Sequence, residues 1–362
     1  MIPTPDRSCD VVVVGGGPAG AVCAALLARS ALDVVLVDDG RSRGGVFPET
    51  LSPAAVRALE EWKIPMPPDV GSPCRYIKTA WDSSSPEIVE LAWLRCRPSL
   101  TVDRPRFDRV LREVASCEGV AVVPGRATHL TVPADGTVVL ELDVDGRCER
   151  LACRALIDAT GRKGIPSAPT LERRIYFDRL VALSCPVARA VGADQLWLFA
   201  TENGWWYATD HPGAGSVAVF LTDGDLLPRA PLLEDWLDRE LSANGVPIEL
   251  TRSSAPDVRD ARTSCRRMLT RGGWLPIGDA AYSIDPLSGS GLENAIRSAG
   301  RAAVATTRYL HGGDRQPFTD VAVAVSQEVA GMLSERARNY AAAASRFPQS
   351  EFWNRRTAME MQ

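Results

Sequence analysis

Two acid-and-glycine constellations carry most of the chemistry in this sequence. The first is Gly15-x-Gly17-x-x-Gly20, with Pro18 and Ala19 between the last two glycines. It follows the β-branched run at 10–14 and opens an Ala/Leu-rich stretch to about residue 30. A second apolar run at 34–37 ends on Asp38, 18 residues past Gly20. In a strand–turn–helix, Gly15 makes the tight turn, Gly17 lets backbone approach a pyrophosphate, and Gly20 permits close helix–strand packing. An acid at the tip of the next strand can bond ribose hydroxyls. The second constellation is Gly278-Asp279 after the apolar run 274–277, followed by Pro286, Gly289 and Gly291 ahead of a helical pattern. A carboxylate there can accept bonds from polyol hydroxyls. The helix start offers free N–H groups and a positive dipole end to an anion.

The first constellation fits any dinucleotide. The second separates the alternatives, because a nicotinamide domain has no need of it and FAD does. Arg104 begins an Arg-x-x-Phe-Asp stretch at the start of a predicted helix, 107–115. Its guanidinium fork is well matched to a diphosphate. No Ser/His/Asp arrangement is visible, and the three histidines (129, 211 and 311) do not cluster. Glu49 and His211 are the two candidates for a base, and no metal site is expected.

These groups need a scaffold. The run 10–14 reads as a strand buried on both faces. Residues 127–156 alternate between turn signals at Asp135-Gly136 and Asp145-Gly146, which predicts a three-stranded meander. Four further strands are expected at 180–187, 195–201, 204–209 and 216–221, then an amphipathic helix at 231–243. Within 204–209, Trp205 and Trp206 must point to opposite faces, so one can line a cavity while the other sits in the core. A structural role for both stands equally open. A long helix is expected at 316–344, with Pro348 ending it and the tail packed on the body.

The chain has 362 residues, 45% hydrophobic and 24% charged, which suits two connected globular domains. A net charge of −4 with no dense basic run argues against nucleic-acid binding. Nine cysteines without a CxxC pair fit reduced thiols in a cytoplasmic protein. The 18 uncharged residues between Asp10 and Arg29 touch membrane-span length, but the glycine turn in their middle makes strand, loop and helix the better reading.

Taken in order, the segments 15–20, 104–108, 158–161 (Asp158-Ala-Thr-Gly161) and 278–291 resemble the FAD motifs of the flavin-dependent monooxygenase/halogenase superfamily. Within it the chain is most similar to flavoproteins that mature tryptophan-derived quinone cofactors and to flavoenzymes acting on peptide-borne tryptophan. That closer likeness rests on Thr79-Ala-Trp81-Asp-Ser83, Asp103-Arg104 with Phe107-Asp108, Gly204-Trp-Trp-Tyr207, Asp285-Pro-Leu-Ser288 and the ending 346–353.

The resemblance implies an α/β fold. An FAD-binding Rossmann-like domain of glutathione-reductase type would span 1–75, 100–165 and 266–311. An inserted antiparallel-sheet substrate domain would span 76–99 and 166–265, with C-terminal helices at 312–362. It also implies FAD contacts from Gly15, Gly17, Pro18, Ala19, Gly20, Asp38, Arg104, Asp158, Gly161, Asp279, Pro286, Gly289 and Gly291. Glu49, within Pro48-Glu-Thr50, either faces the flavin or is a surface loop acid. Glu49, Pro286 and Trp206 become the catalytic candidates, and Trp205, Trp206 and Trp81 the substrate contacts.

The implied activity is hydroxylation of an electron-rich aromatic ring through a flavin C4a-hydroperoxide, with an indole as the foremost substrate. That indole would belong to a small molecule, peptide or protein. FAD would be reduced by NAD(P)H directly or by a partner flavin reductase, with no membrane partner. The Trp-x-Trp-x-Ile-Pro motif of tryptophan halogenases is absent. Lys78 lies where a halogenase lysine could stand, though an exposed strand lysine is the simpler reading. Halogenation, a non-catalytic flavin-binding maturation chaperone and reduction of isoprenoid double bonds are the alternatives.

Overall fold

The computed structural model describes residues 6–40, 46–90, 97–132, 137–166, 171, 173–189, 191–229, 232–251 and 255–357. In chain order the elements are β1 (Arg7–Val14), α1 (Pro18–Ala28), β2 (Val34–Asp38), β3 (Glu49–Leu51), α2 (Pro53–Glu61), β4 (Gly71–Cys74), β5 (Tyr76–Ala80), β6 (Glu87–Glu90), β7 (Ser99–Val102) and α3 (Arg104–Cys117). Then come β8 (Ala121–Pro124), β9 (Arg126–Thr131), β10 (Val138–Val144), β11 (Arg147–Asp158), β12 (Arg174–Tyr176), β13 (Leu180–Pro186), β14 (Gln195–Thr201), β15 (Gly204–His211), β16 (Gly215–Asp223) and α4 (Leu233–Ala243). The chain finishes with β17 (Asp257–Asp260), β18 (Ser264–Arg266), β19 (Trp274–Pro276), β20 (Tyr282–Ser283), α5 (Gly291–Gly312), α6 (Gln316–Ala344) and α7 (Glu351–Thr357).

One seven-stranded sheet runs β8-β2-β1-β11-β10-β9, with β19 also paired to β11. The β8, β2, β1, β11 and β19 pairings are parallel, while β9 and β10 join in antiparallel sense. The meander is therefore not a separate unit. The twelve-residue β11 pairs with β10 along residues 147–153 and with β19 along 156–158. Its burial changes from mixed to continuous over that length, as expected where helices and strands cover both faces. Val11 and Val13 face a layer containing α1, α3 and α5, while Val12 and Val14 pack against Leu140, Leu156 and Trp274 on the other side. The Asp135-Gly136 turn lies outside the described residues.

A second seven-stranded sheet runs β17-β13-β16-β15-β14-β5-β6 and is antiparallel except for β14 with β5. Its two faces have different covers. The outer face carries Trp206, Phe220, Phe199 and Ala80 and is covered by Leu237 and Leu241 of α4. The inner face carries Trp205, Val219 and Leu221 and is covered by Tyr340 of α6 and by Phe352 and Trp353 of α7. The tail packs as expected: Phe352 and Trp353 are fully buried, and Arg356 forms a buried ion pair with Asp223 at 2.8 Å. Two further sheets, β3-β7-β4 and β12-β18-β20, have three strands each.

The helix predicted at 107–115 starts at Arg104, because Asp103 caps it by accepting from the Arg106 N–H and Pro105 suits its first turn. The cysteines among the described residues are unpaired. No described helix is long and apolar enough to cross a membrane.

Candidate functional site

The glycine turn, the end of β11 and the turn after β19 meet at one point. Gly15 has φ +105°, and a Cβ there would lie 2.5 Å from the Ala159 carbonyl oxygen. A Cβ on Gly20 would lie 1.9 Å from the Gly15 carbonyl oxygen. Gly278, at φ +53°, abuts the Ala19 methyl. By contrast, a Cβ on Gly17, Gly289 or Gly291 would meet nothing within 4 Å. Three glycines are thus needed for packing inside the protein, and three face open space. That is the division a dinucleotide cradle requires, with bare backbone turned toward the ligand. Pro18 and Ala19 are buried in the first turn of α1 behind it.

The carboxylates divide differently from the sequence expectation. Asp38 accepts from the Gly16 N–H at 3.2 Å and lies 3.5 Å from Arg112, which itself donates to the Gly16 carbonyl. Arg112 was not singled out in sequence. It sits eight residues after Arg104 on the same helix, about two turns on and so on a similar face. Asp279 is half-buried and 3.4 Å from Arg162. Asp158 requires a correction. It is 1% exposed and its carboxylate is bound to Arg266 and to the Thr160 N–H and hydroxyl, so it faces the interior and not a ligand. Gly161, at φ +69°, follows it into the turn carrying Arg162.

Arg104 is also engaged internally. It pairs with Glu49 at 2.5 Å and forms a two-pronged contact with Asp108 at 3.0 and 3.1 Å. Burial opposes the Arg104 charge, but the two carboxylates raise its pKa above the ordinary value. Burial pushes the Asp108 carboxyl up in spite of Arg104. Glu49 is therefore the partner of a half-buried arginine, which argues against the free base considered from sequence. His211 is buried, accepts from the Gly213 N–H through Nδ1, and has its pKa lowered by burial.

The segment 46–49 lies across the inner face of the second sheet. The Ser184 hydroxyl donates to the Val46 carbonyl, the Tyr207 hydroxyl donates to Pro48 O at 3.3 Å, and the Arg259 guanidinium stacks on Phe47. Phe47, Tyr207 and Leu287 all pack, partly buried, against the inner-face core. Leu287 belongs to the turn that holds Pro286 and Gly289, so that turn lies on the same face of the sheet as Phe47 and Tyr207.

The alternation expected at Trp205-Trp206 is present, but neither indole lines an open cavity. Trp206 is on the outer face, stacked on Phe220 at 4.7 Å beneath α4. That places it on the opposite side of the sheet from Pro286. Trp205 points inward but is 1% exposed, closed in by Trp81 and Tyr340, and donates from Nε1 to the Tyr340 hydroxyl. Trp81 donates to the Asn339 carbonyl and packs edge-on against Trp353. It therefore anchors the C-terminal helices, and that contact displaces the substrate role expected for it.

Parallel sheet, glycine turn, open cradle and a distant Gly-Asp turn define an FAD-dependent oxidoreductase. Residues 10–164 match the model of the FAD dependent oxidoreductase family. Its relatives include LodB of Marinomonas mediterranea, provisionally named an FAD-dependent oxidoreductase, 26% identical over 97% of this chain and 98% of LodB. Among solved structures, the flavin-dependent halogenase CmlS superposes with a TM-score of 0.81 at 22% identity, over 96% of this chain and 67% of CmlS. The peptidyl tryptophan dihydroxylase QhpG, essential for tryptophylquinone cofactor biogenesis, superposes at 0.78 with 23% identity, over 96% of this chain and 78% of QhpG. These two structural likenesses speak to the fold.

Proposed function

We propose that this protein is an FAD-dependent monooxygenase that hydroxylates an electron-rich aromatic ring, an indole borne on a peptide, protein or natural-product precursor. The observation that carries this is the partition of the second sheet. Phe47, Tyr207 and Leu287 are apolar and pack against the inner-face core, the face on which Leu287 sets the Pro286–Gly289 turn. Lys78, paired in register with Trp197, sits on the other side with its ammonium 4.6 Å from the Trp197 ring centre. The only other lysines are Lys63, just past α2, and Lys163, at the Gly161 turn. A halogenase needs a lysine at the ring being modified, and this arrangement favours oxygen transfer over halogenation. The likeness to LodB supports the cofactor, and the fold shared with the peptidyl tryptophan dihydroxylase QhpG supports the substrate class.

FAD fits the cradle just described. Bound and reduced, it supplies dioxygen activation and the transfer of one oxygen atom. The chain's part is placement. In our reading, the bare backbone at Gly17 admits the diphosphate, Asp38 accepts ribose hydroxyls beside Arg112, and Asp279 accepts ribityl hydroxyls. The positive end of α5, at Gly291, stabilises negative charge on the reduced ring. Arg104 acts through Glu49, holding segment 46–49 against the sheet. Phe47, Tyr207 and Leu287 hold the substrate ring and exclude water. Electrons come from NAD(P)H directly or from a partner flavin reductase.

Two results follow. Asp279→Ala should weaken FAD binding by about 1.5–3 kcal/mol for each charged hydrogen bond lost, roughly ten- to a hundredfold. Fluorescence titration of the apoprotein reads this, and unchanged affinity would remove Asp279 from the site. Intact-mass analysis of tryptophan-bearing peptides, incubated with protein, FAD, reductase and oxygen, should show added oxygen. Chloride or bromide should leave that mass unchanged, and Lys78→Ala should keep most of the activity. A halogenated product lost in Lys78→Ala would overturn the hydroxylase reading while leaving the FAD site in place.

A further inference from the structure

The turn bearing Pro286 and Gly289 is held from behind by a buried polar relay. Asp285 caps the turn by accepting from the Leu287 N–H at 3.0 Å. The same carboxylate accepts from Arg336 Nε at 2.7 Å and from the Tyr340 hydroxyl at 3.3 Å. Arg336 uses a second nitrogen to reach Asp178 at 3.0 Å, and Asp178 accepts from the Leu180 and Thr263 N–H groups. Tyr340 in turn receives the Trp205 indole N–H at 3.0 Å. Asp285 and Arg336 are 2% and 7% exposed.

Arg336 and Tyr340 are four residues apart on α6, so one helix face ties the turn to β15 at Trp205 and to Asp178, just ahead of β13. A cavity of about 280 Å³ opens beside the turn, lined by Asp285, Ser288, Ser290, Asn294, Met332 and Arg336. The Arg336 guanidinium lines that cavity and bonds to the turn at Asp285. Burial opposes the charge on Arg336, yet Asp285, Tyr340 and Asp178 together raise its pKa, so the fork stays charged.

The Leu287, Ser288, Gly289 and Ser290 N–H groups are bonded within the turn, which leaves the α5 start at Gly291 to face a ligand. We propose that Arg336 is a positioning residue for the 285–291 turn, setting where that helix start stands against the isoalloxazine ring. This rests on the flavin site proposed above. If the α5 start stabilises the reduced, anionic ring more than the oxidised one, displacing it must cost reduced flavin more than oxidised flavin.

The test uses full-length holoprotein and three variants: Arg336→Met, Arg336→Lys and Tyr340→Phe. Readouts are thermal unfolding of the apoprotein, FAD affinity by titration and the flavin midpoint potential by dye equilibration. Arg336→Met should favour reduced FAD about tenfold less than the wild type, a drop of about 30 mV for a two-electron couple. Arg336→Lys keeps the charge but cannot span both carboxylates, so it should fall between Met and wild type. Tyr340→Phe removes one bond to Asp285 and should shift the potential in the same direction by less. If Arg336→Met fails to fold, the ordering of Arg336→Lys and Tyr340→Phe carries the test. A variant that loses thermal stability while affinity and potential stay at wild-type values would make Arg336 merely structural and overturn the proposal. Failure of the hydroxylase reading would show separately, as wild-type protein that binds FAD but adds no oxygen.

Discussion

Gly20→Ala should abolish tight FAD binding and destabilise the N-terminal sheet, whereas Gly17→Ala should affect FAD alone. The added methyl at residue 20 would stand 1.9 Å from the Gly15 carbonyl oxygen and 3.0 Å from the Ala159 side chain. The first of these obstacles is backbone, so no rotamer change relieves it, and α1 must move away from the turn. Forcing extra volume into a packed site costs about 1–3 kcal/mol and sometimes more. Here the displaced atoms are also the cradle, so affinity should fall by at least about two orders of magnitude, equivalent to roughly 3 kcal/mol. Gly17 has φ −74°, which alanine accepts, and its methyl would meet no protein atom within 4 Å. Its unfolding midpoint should therefore match wild type, while the methyl stands where a diphosphate must approach. Thermal unfolding of the two apoproteins, with FAD titration of each, separates the cases. Equal FAD affinity in Gly17→Ala and wild type would mean the open side of this turn is not where the cofactor sits.

The contrast between these glycines shows what local sequence carries. The β-branched run at 10–14, the glycine spacing and Asp38 are close together in the chain. Their geometry follows from strand, turn and helix periods. Strand alternation likewise placed Trp205 and Trp206 on opposite faces. It did not say what covers each face, because α4 and the α6–α7 pair arrive from 27 residues or more downstream. The same limit applies to the charges. Asp158 looks like a ligand when read within Asp-Ala-Thr-Gly, but its partner, Arg266, is 108 residues away. Asp285 and Arg336 are separated by 51 residues, and no periodicity links them. Glu49 looked free for the same reason, since Arg104 reaches it only after β3 and β7 pair. Local patterns identify backbone cradles well. They leave open which buried charges are spent on holding the cradle together.

Arg266→Met should be the most destabilising single charge removal at the site. Arg266 is 3% exposed and donates to three groups: the Asp158 carboxylate at 3.1 Å, the Ala280 carbonyl at 2.7 Å and the Leu171 carbonyl. Its guanidinium also lies 5.4 Å from the Trp274 ring centre. One side chain thereby joins the end of β11 to the residue after Asp279. Removing it strands the Asp158 charge in the interior, and breaking a buried pair from one side costs about 3–5 kcal/mol. For a chain of 362 residues, with about 2.1 cal/mol/K of unfolding entropy per residue, that is a fall of about 4–7 °C in the unfolding midpoint. Much of the cost is the orphaned carboxylate. Asp158→Asn in the Arg266→Met background should therefore recover part of the loss, where two independent defects would add. FAD affinity should fall in Arg266→Met as well, because the Ala280 carbonyl it releases adjoins Asp279. It should stay low in the double variant, since asparagine at 158 restores neutrality but not the bond to Ala280. A double variant less stable than Arg266→Met would show that Asp158 is not stranded by the loss of Arg266, and the ion pair would not be what joins the two motifs.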